Sequence, residues 1–286
     1  MKTQIAAIAI GLTLLLTANK GMAAPLTLYD GSSGVTPNQF NSPSPWFIFG
    51  SPNGGTQSAS GGVTTLDTNL NNSIYAGYSN YNVANPPTNP LSVITPTTLV
   101  NPLFPTLDRN AGYRLTFTVK INSQTNDGTN GAFRAGFSVL ALSSDKQGIE
   151  IGFRNTDIFS QNNSSFQTIG EQVNDVGSLL SNLTTYNLNV AGDSYTLKSG
   201  EQILLTGLLR NYQGASGFGS DVYGTSNFIF LGDNTTSARA SIDLANVSLT
   251  TNTAEVPFET SETISIGVLA VAGGLNYWRR KNKLKK

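Results

Sequence analysis

The chain contains no cysteine and no histidine, and only 12% of its 286 residues are charged. Without cysteine there are no disulfides and no thiolate nucleophile. Without histidine there is no Ser-His-Asp triad, and with neither there is no zinc site built on nitrogen and sulfur ligands. Carboxylate chemistry and oxygen-ligated cations such as Ca²⁺ are what remain. The scarcity of charge is also unlike a disordered chain. What is abundant is Gly, Asn, Ser and Thr, the composition of short strands joined by many turns.

Lys+Arg and Asp+Glu balance at 17 each, but unevenly along the chain. Six of the basic residues follow Trp278, which leaves the middle of the chain mildly acidic. A domain without a basic stripe does not neutralise phosphates, so nucleic acid is excluded as a partner. The N-terminus runs from Lys2 through an apolar stretch, 5–16, to the small residues Gly21-Met22-Ala23-Ala24. This is the order of a secretory signal peptide, residues 1–23, with cleavage expected after Ala23. Residues 24–253 are then one extracellular domain, and 254–286 form a tail.

The tail has three parts: Pro257-Phe258-Glu259, an apolar segment 264–278, and a basic run beginning Arg279-Arg280-Lys281. As a helix the apolar segment is about 22 Å long, short of a hydrocarbon core of about 30 Å. Tyr277 and Trp278 suit the interface, and the basic run, acting as a stop-transfer signal, places the C-terminus in the cytoplasm. This layout resembles the PEP-CTERM class of exosortase sorting signals, and Pro257-Phe258-Glu259 is similar to the motif of its cyanobacterial variant. The resemblance implies a membrane protease-transpeptidase as partner, transient or permanent membrane anchoring, and transfer to the cell surface or extracellular matrix. A plain membrane anchor obeys the same charge logic.

Between the ends, Tyr113, Leu115, Phe117, Val119 and Ile121 alternate with Arg114, Thr116, Thr118 and Lys120, the period of a half-buried strand. Further strands are predicted at 133–142, 149–154, 185–190, 194–198, 202–210, 227–231 and 238–249. The last switches parity between Leu244 and Val247, which calls for a β-bulge at Ala245 or Asn246. The segment before Tyr113 supports only short strands, at 46–50, 63–66 and 74–78. The expected fold is all-β, an antiparallel two-sheet sandwich, with helix confined to the two ends of the chain. Three stretches, beginning Leu107-Asp108-Arg109, Phe133-Arg134-Ala135 and Phe228-Ile229-Phe230, resemble the bacterial "choice-of-anchor" β-sandwich domains, nearest type Y. That resemblance implies a concanavalin-like jelly roll and a surface location, and no activity.

Glycoside hydrolysis needs two carboxyls flanking the scissile bond. Glu150 stands alone, because Gly152 and Arg154 occupy the same-face positions where partners belong. No catalytic residue is assigned, and the chain is read as a non-enzymatic surface or matrix protein. If strands 113–121, 133–142 and 149–154 are neighbours, Arg114, Arg134, Glu150 and Arg154 share the face opposite the core. They then form either a face that hydrogen-bonds an extracellular polysaccharide or a solvated face of cross-strand ion pairs. In the loop 211–227, Tyr212, Phe218 and Tyr223 either stack on sugars or pin the loop from within, the second suiting a large loop better. Asp30, Asp127, Asp157, Asp233 and Asp243 lie at turns or strand ends, where a structural Ca²⁺ or ordinary Asx turns account for them. No other cofactor is implied.

Overall fold

The strand beginning at Tyr113 runs further than its alternating pattern, to Asn126, and organises one of two sheets. The structure, a computed structural model, describes residues 23–51, 53–71, 74–83, 96–127, 131–215 and 220–252. The signal peptide, the Pro257-Phe258-Glu259 motif, the segment 264–278 and Arg279, Arg280 and Lys281 lie outside them. Among the described residues no helix is long and apolar enough to cross a membrane.

In chain order the strands are β1 (Leu26–Asp30), β2 (Ile48–Gly50), β3 (Thr56–Ser60), β4 (Val63–Asp67), β5 (Ala76–Ser79), β6 (Tyr81–Val83), β7 (Pro96–Leu99), β8 (Tyr113–Asn126) and β9 (Phe137–Leu142). They continue with β10 (Gln147–Phe153), β11 (Ile158–Gln161), β12 (Ile169–Val173), β13 (Thr184–Ala191), β14 (Ser194–Ser199), β15 (Gln202–Leu208), β16 (Arg210–Asn211), β17 (Phe228–Asp233) and β18 (Ala238–Thr251). The first sheet has the order β15-β14-β13-β8-β18-β4-β3, with β1 also on β18. The second has the order β12-β11-β10-β9-β17-β5-β2, with β16 on β10. Strands β6 and β7 form a separate pair. Every pairing is antiparallel, so the fold is an all-β two-sheet sandwich. Helix is not confined to the chain ends, because a single turn, Gly177–Leu180, buries Leu180 against the core.

The bulge in β18 falls between Leu244 and Asn246. It lets Ile242 and Leu244 on one side, and Val247 and Leu249 on the other, all face inward. The two halves then serve different partners along one edge, since β4 pairs with 241–244 and β1 with 246–249.

Phe117 and Tyr186 of the first sheet meet Phe137 and Phe153 of the second at the centre of the core. The second sheet is covered on its outer face as well. There Leu140, Leu142 and Phe228 are buried beneath Tyr212 and Tyr223, with Phe166 packed against them. That double burial is why β9 reads Phe-Ser-Val-Leu-Ala-Leu, with no polar face to alternate.

Candidate functional site

Glu150 lies in β10 opposite Leu140 of β9, and its neighbours Ile149 and Ile151 point into the core. Strand pleating therefore sends Glu150 to the outer face of the second sheet, beneath the aromatic cover. It is 3% exposed. Its Oε2 accepts from the Tyr223 hydroxyl at 2.5 Å and its Oε1 from Asn234 Nδ2 at 3.1 Å. Asn234 Nδ2 also lies 3.2 Å from the Tyr223 hydroxyl. The Glu150 backbone N–H donates to the Tyr212 hydroxyl at 3.3 Å, and that hydroxyl donates to the Gln161 carbonyl at 2.8 Å. Burial raises the Glu150 pKa, and the bonds from Tyr223 and Asn234 and the charge of Arg134 oppose it without reversing it. Burial likewise lifts the Tyr212 and Tyr223 phenols, which stay protonated as donors.

Around this carboxyl is a polar pocket of about 190 Å³, whose lining includes Arg134, Glu150, Gln161, Phe166, Tyr223 and Asn234. Each arrives from a different place: Arg134 ahead of β9, Gln161 at the end of β11, Tyr223 from the turn Ser220–Gly224, and Asn234 just past β17. Arg134 donates through Nη1 to the Phe166 carbonyl, and its guanidinium carbon lies 5.3 Å from the centre of the Phe166 ring. Burial lowers its pKa, against the pull of Glu150. Gln161 is 2% exposed and donates through Nε2 to the Phe133 carbonyl at 2.8 Å, but its Oε1 has no hydrogen-bond partner. A buried acceptor without a donor is costly, so Gln161, which lines the pocket, keeps one hydrogen bond that a ligand or water reaching it would complete. An adjoining apolar hollow of about 70 Å³ shares Tyr223 and Asn234 but is lined by no such orphan.

The candidate face predicted from the sequence is divided by this arrangement. Strand β8 pairs with β13 and β18, whereas β9 and β10 pair with each other in the opposite sheet. Arg114 is therefore in the first sheet, donating through Nε to Asn189 at 2.6 Å. The connection from Asn126 to Phe137 crosses between sheets, so β8 meets β9 and β10 through the core rather than edge to edge. Arg134 and Glu150 do share the pocket. Arg154 stands outside its lining, with Nε 3.5 Å from Asp157 and the guanidinium carbon 4.3 Å from the Phe159 ring centre.

Tyr212 and Tyr223 turn inward and pin their loop on Phe166, with ring centres 5.6 and 4.8 Å from it. Phe218 lies outside the described residues. The five aspartates do not converge. Asp30 caps a 3-10 turn, Asp127 pairs with Arg239, Asp157 with Arg154, Asp233 accepts from Thr68, and Asp243 from Thr65. Among the described residues no three His, Cys, Asp or Glu side chains gather where they could hold a metal. Gln161 and Asn234 were not singled out in the sequence. In a chain so rich in amides, only long-range strand order distinguishes them.

No family model matches the chain, and no curated protein matches it. Solved structures do resemble it at low identity. A carbohydrate esterase of the Shiga toxin-encoding bacteriophage phi24B aligns at 11% identity and a TM-score of 0.48, covering 80% of this chain and 100% of that one. A Bacillus subtilis protein of unknown function with a galectin-like fold aligns at 8% and 0.44, covering 82% and 99%. A family 7 alginate lyase in complex with its product aligns at 12% and 0.39, covering 68% and 83%. Likenesses at this level decide nothing about chemistry.

Proposed function

We propose that this chain is a non-enzymatic, exported protein of the cell surface or extracellular matrix whose sandwich binds carbohydrate in the pocket around Glu150. The observation that carries the proposal is the orphan Gln161 Oε1, a buried acceptor on a residue that lines a pocket supplied with donors. A sugar hydroxyl donates to it and accepts from Asn234 or Arg134, while Phe166 and Tyr223 offer ring surface. Among the described residues Glu150 is the one carboxyl in the lining, so the pair that glycoside hydrolysis requires is not assembled there. In this reading the sandwich is a concanavalin-like jelly roll that carries its ligand on the second sheet.

Glycan-array screening followed by calorimetry tests the proposal. Gln161→Ala and Asn234→Ala are each expected to weaken binding of any captured glycan by about tenfold or more, the scale of a hydrogen bond to a buried polar group. If no glycan is captured, or both variants bind as the parent does, the pocket is only structural.

Export and sorting complete the proposal. The tail is read as a transient anchor, too short to span comfortably but firmly oriented by Arg279, Arg280 and Lys281. Its Pro257-Phe258-Glu259 motif would then be offered to an exosortase-like membrane protease. Intact-mass measurement of surface-exposed protein is expected to show a chain that starts at Ala24 and lacks 279–286. Recovery of the complete basic tail on most molecules would identify a plain anchor.

A further inference from the structure

We infer that the pocket's ligand is an acidic carbohydrate, whose sugar carboxylate pairs with Arg134. This rests on the carbohydrate reading above and names the class of sugar within it. Arg109, Arg154, Arg210 and Arg239 each hold a carboxylate within ion-pair distance. Arg134 forms no ion pair among the described residues, although its side chain is partly withdrawn from solvent in the pocket wall.

The carboxyl nearest to hand, Glu150, is not in contact with it. It does not come within ion-pair distance of Arg134: its oxygens accept from Tyr223 and Asn234, and the two charges act on each other only from further off. What lines the pocket is therefore a guanidinium with one N–H committed to the Phe166 carbonyl and its carbon 5.3 Å from the centre of the Phe166 ring. A partly desolvated cation with no carboxylate in contact is costly, and an incoming anion lowers that cost. The fixed fork of the remaining N–H groups matches the two oxygens of a planar carboxylate. Beside it, Gln161 Oε1 and the hydroxyls of Ser165, Thr235 and Ser237 suit the ring hydroxyls of the same sugar. A neutral glycan would satisfy Gln161 and leave Arg134 as it is. A simple anion would satisfy Arg134 and leave Gln161 orphaned. An acidic sugar answers both.

The test compares oligosaccharides of glucuronic, galacturonic and mannuronic acid with their carboxyl-reduced counterparts, which differ only at C6, by calorimetry on residues 24–253. At least one acid is expected to bind tenfold or more tightly than its reduced form. Arg134→Gln should erase that preference, weakening the acid tenfold or more and the reduced form by much less, and Arg134→Lys should restore part of it. The thermal midpoint of each variant checks that it is folded. Equal binding of acid and reduced forms overturns the inference, as does equal weakening of both by Arg134→Gln. So does equally tight binding of a sulfated neutral oligosaccharide, which would show a site for negative charge rather than for a carboxylate. If neutral glycans bind and the acids do not, the acidic assignment falls while the carbohydrate reading stands. If no glycan binds, both fall.

Discussion

Truncating Phe153 to alanine is expected to destabilise the domain by about 3–5 kcal/mol, the range for deleting a fully buried aromatic side chain. Phe153 is 0% exposed and ends β10 at the point where the two sheets lock together. Its ring centre lies 5.7 Å from Phe117 and 5.2 Å from Tyr186, both in the first sheet, and 5.7 Å from Phe137 beside it. Two of these contacts are edge-to-face, the geometry in which the ring quadrupoles attract. The hole left by alanine would be walled by three large rings on rigid strands, so little of it can collapse. For a domain of this size the loss corresponds to a fall in Tm of about 10 °C. Phe153→Leu, which keeps much of the volume, should fall by clearly less. Urea and thermal melts of the two variants decide the matter, and a loss below about 1 kcal/mol for alanine would mean that the sheets do not close on this cluster.

The same cluster shows what the sequence disclosed and what it hid. Strand β8 has one face in the core and one in solvent, so Tyr113 to Ile121 alternate and the strand can be read from its pattern. The parity change in β18 equally predicts its bulge, because a register slip would otherwise turn Val247 and Leu249 outward. The inner strands of the second sheet, β5, β9, β10, β11 and β17, are buried on both faces, so their periodicity is lost. Ile158–Gln161 reads as four buried residues with no rhythm, and it escaped notice. So did β1 and β3, which are short and owe their place to β18 and β4 rather than to their own pattern.

The candidate site was half legible for the same reason. Glu150 and Arg134 stand out as charges beside apolar strands, and the pleat alone puts Glu150 on the outer face. Grouping them with Arg114 required β8 and β9 to lie in one sheet, and they do not. Consecutive strands are neighbours more often than not, but here the chain crosses to the other layer. Gln161 and Asn234 join Glu150 only because β11 and β17 flank the β9-β10 hairpin, an order that no local motif encodes.

A pH-dependent stability with a falling alkaline limb is the other large expected effect, and Asp233 is its main source. The residue closes β17 and is 1% exposed. Its Oδ2 accepts from the Thr68 hydroxyl at 2.7 Å and its Oδ1 from the Thr235 N–H at 3.1 Å, which ties the second sheet to the chain just past β4 in the first. Burial pushes its pKa well above the usual carboxylate range, and the two hydrogen bonds do not offset this. Glu150 is shifted in the same direction. A folded state that keeps a proton the unfolded chain has released is most stable, from that group, below the unfolded pKa of about 4. That contribution is lost as pH rises through the raised folded value. Glu171 behaves oppositely. Burial raises its pKa, but hydrogen bonds from Ser160, Tyr195 and Arg210 outweigh burial and leave it below its ordinary value. Its stabilisation is present above the unfolded pKa and lost on acidification.

Between these limbs stability should peak in mildly acidic solution and decline toward pH 8. Asp233→Asn removes the ionisation yet can keep the contacts. The amide oxygen accepts from Thr235, and the amide nitrogen donates to the Thr68 hydroxyl, whose proton turns to the Ala240 carbonyl already 3.1 Å away. The variant is expected to be more stable than the parent at pH 8 by on the order of 1–3 kcal/mol, the scale of desolvating a buried polar group. It should lose most of that advantage near pH 4, and urea unfolding across this range measures both. A parent profile flat from pH 5 to 8, or an asparagine variant weaker at pH 8, would mean that Asp233 is ionised in the folded state and stabilises as an anion.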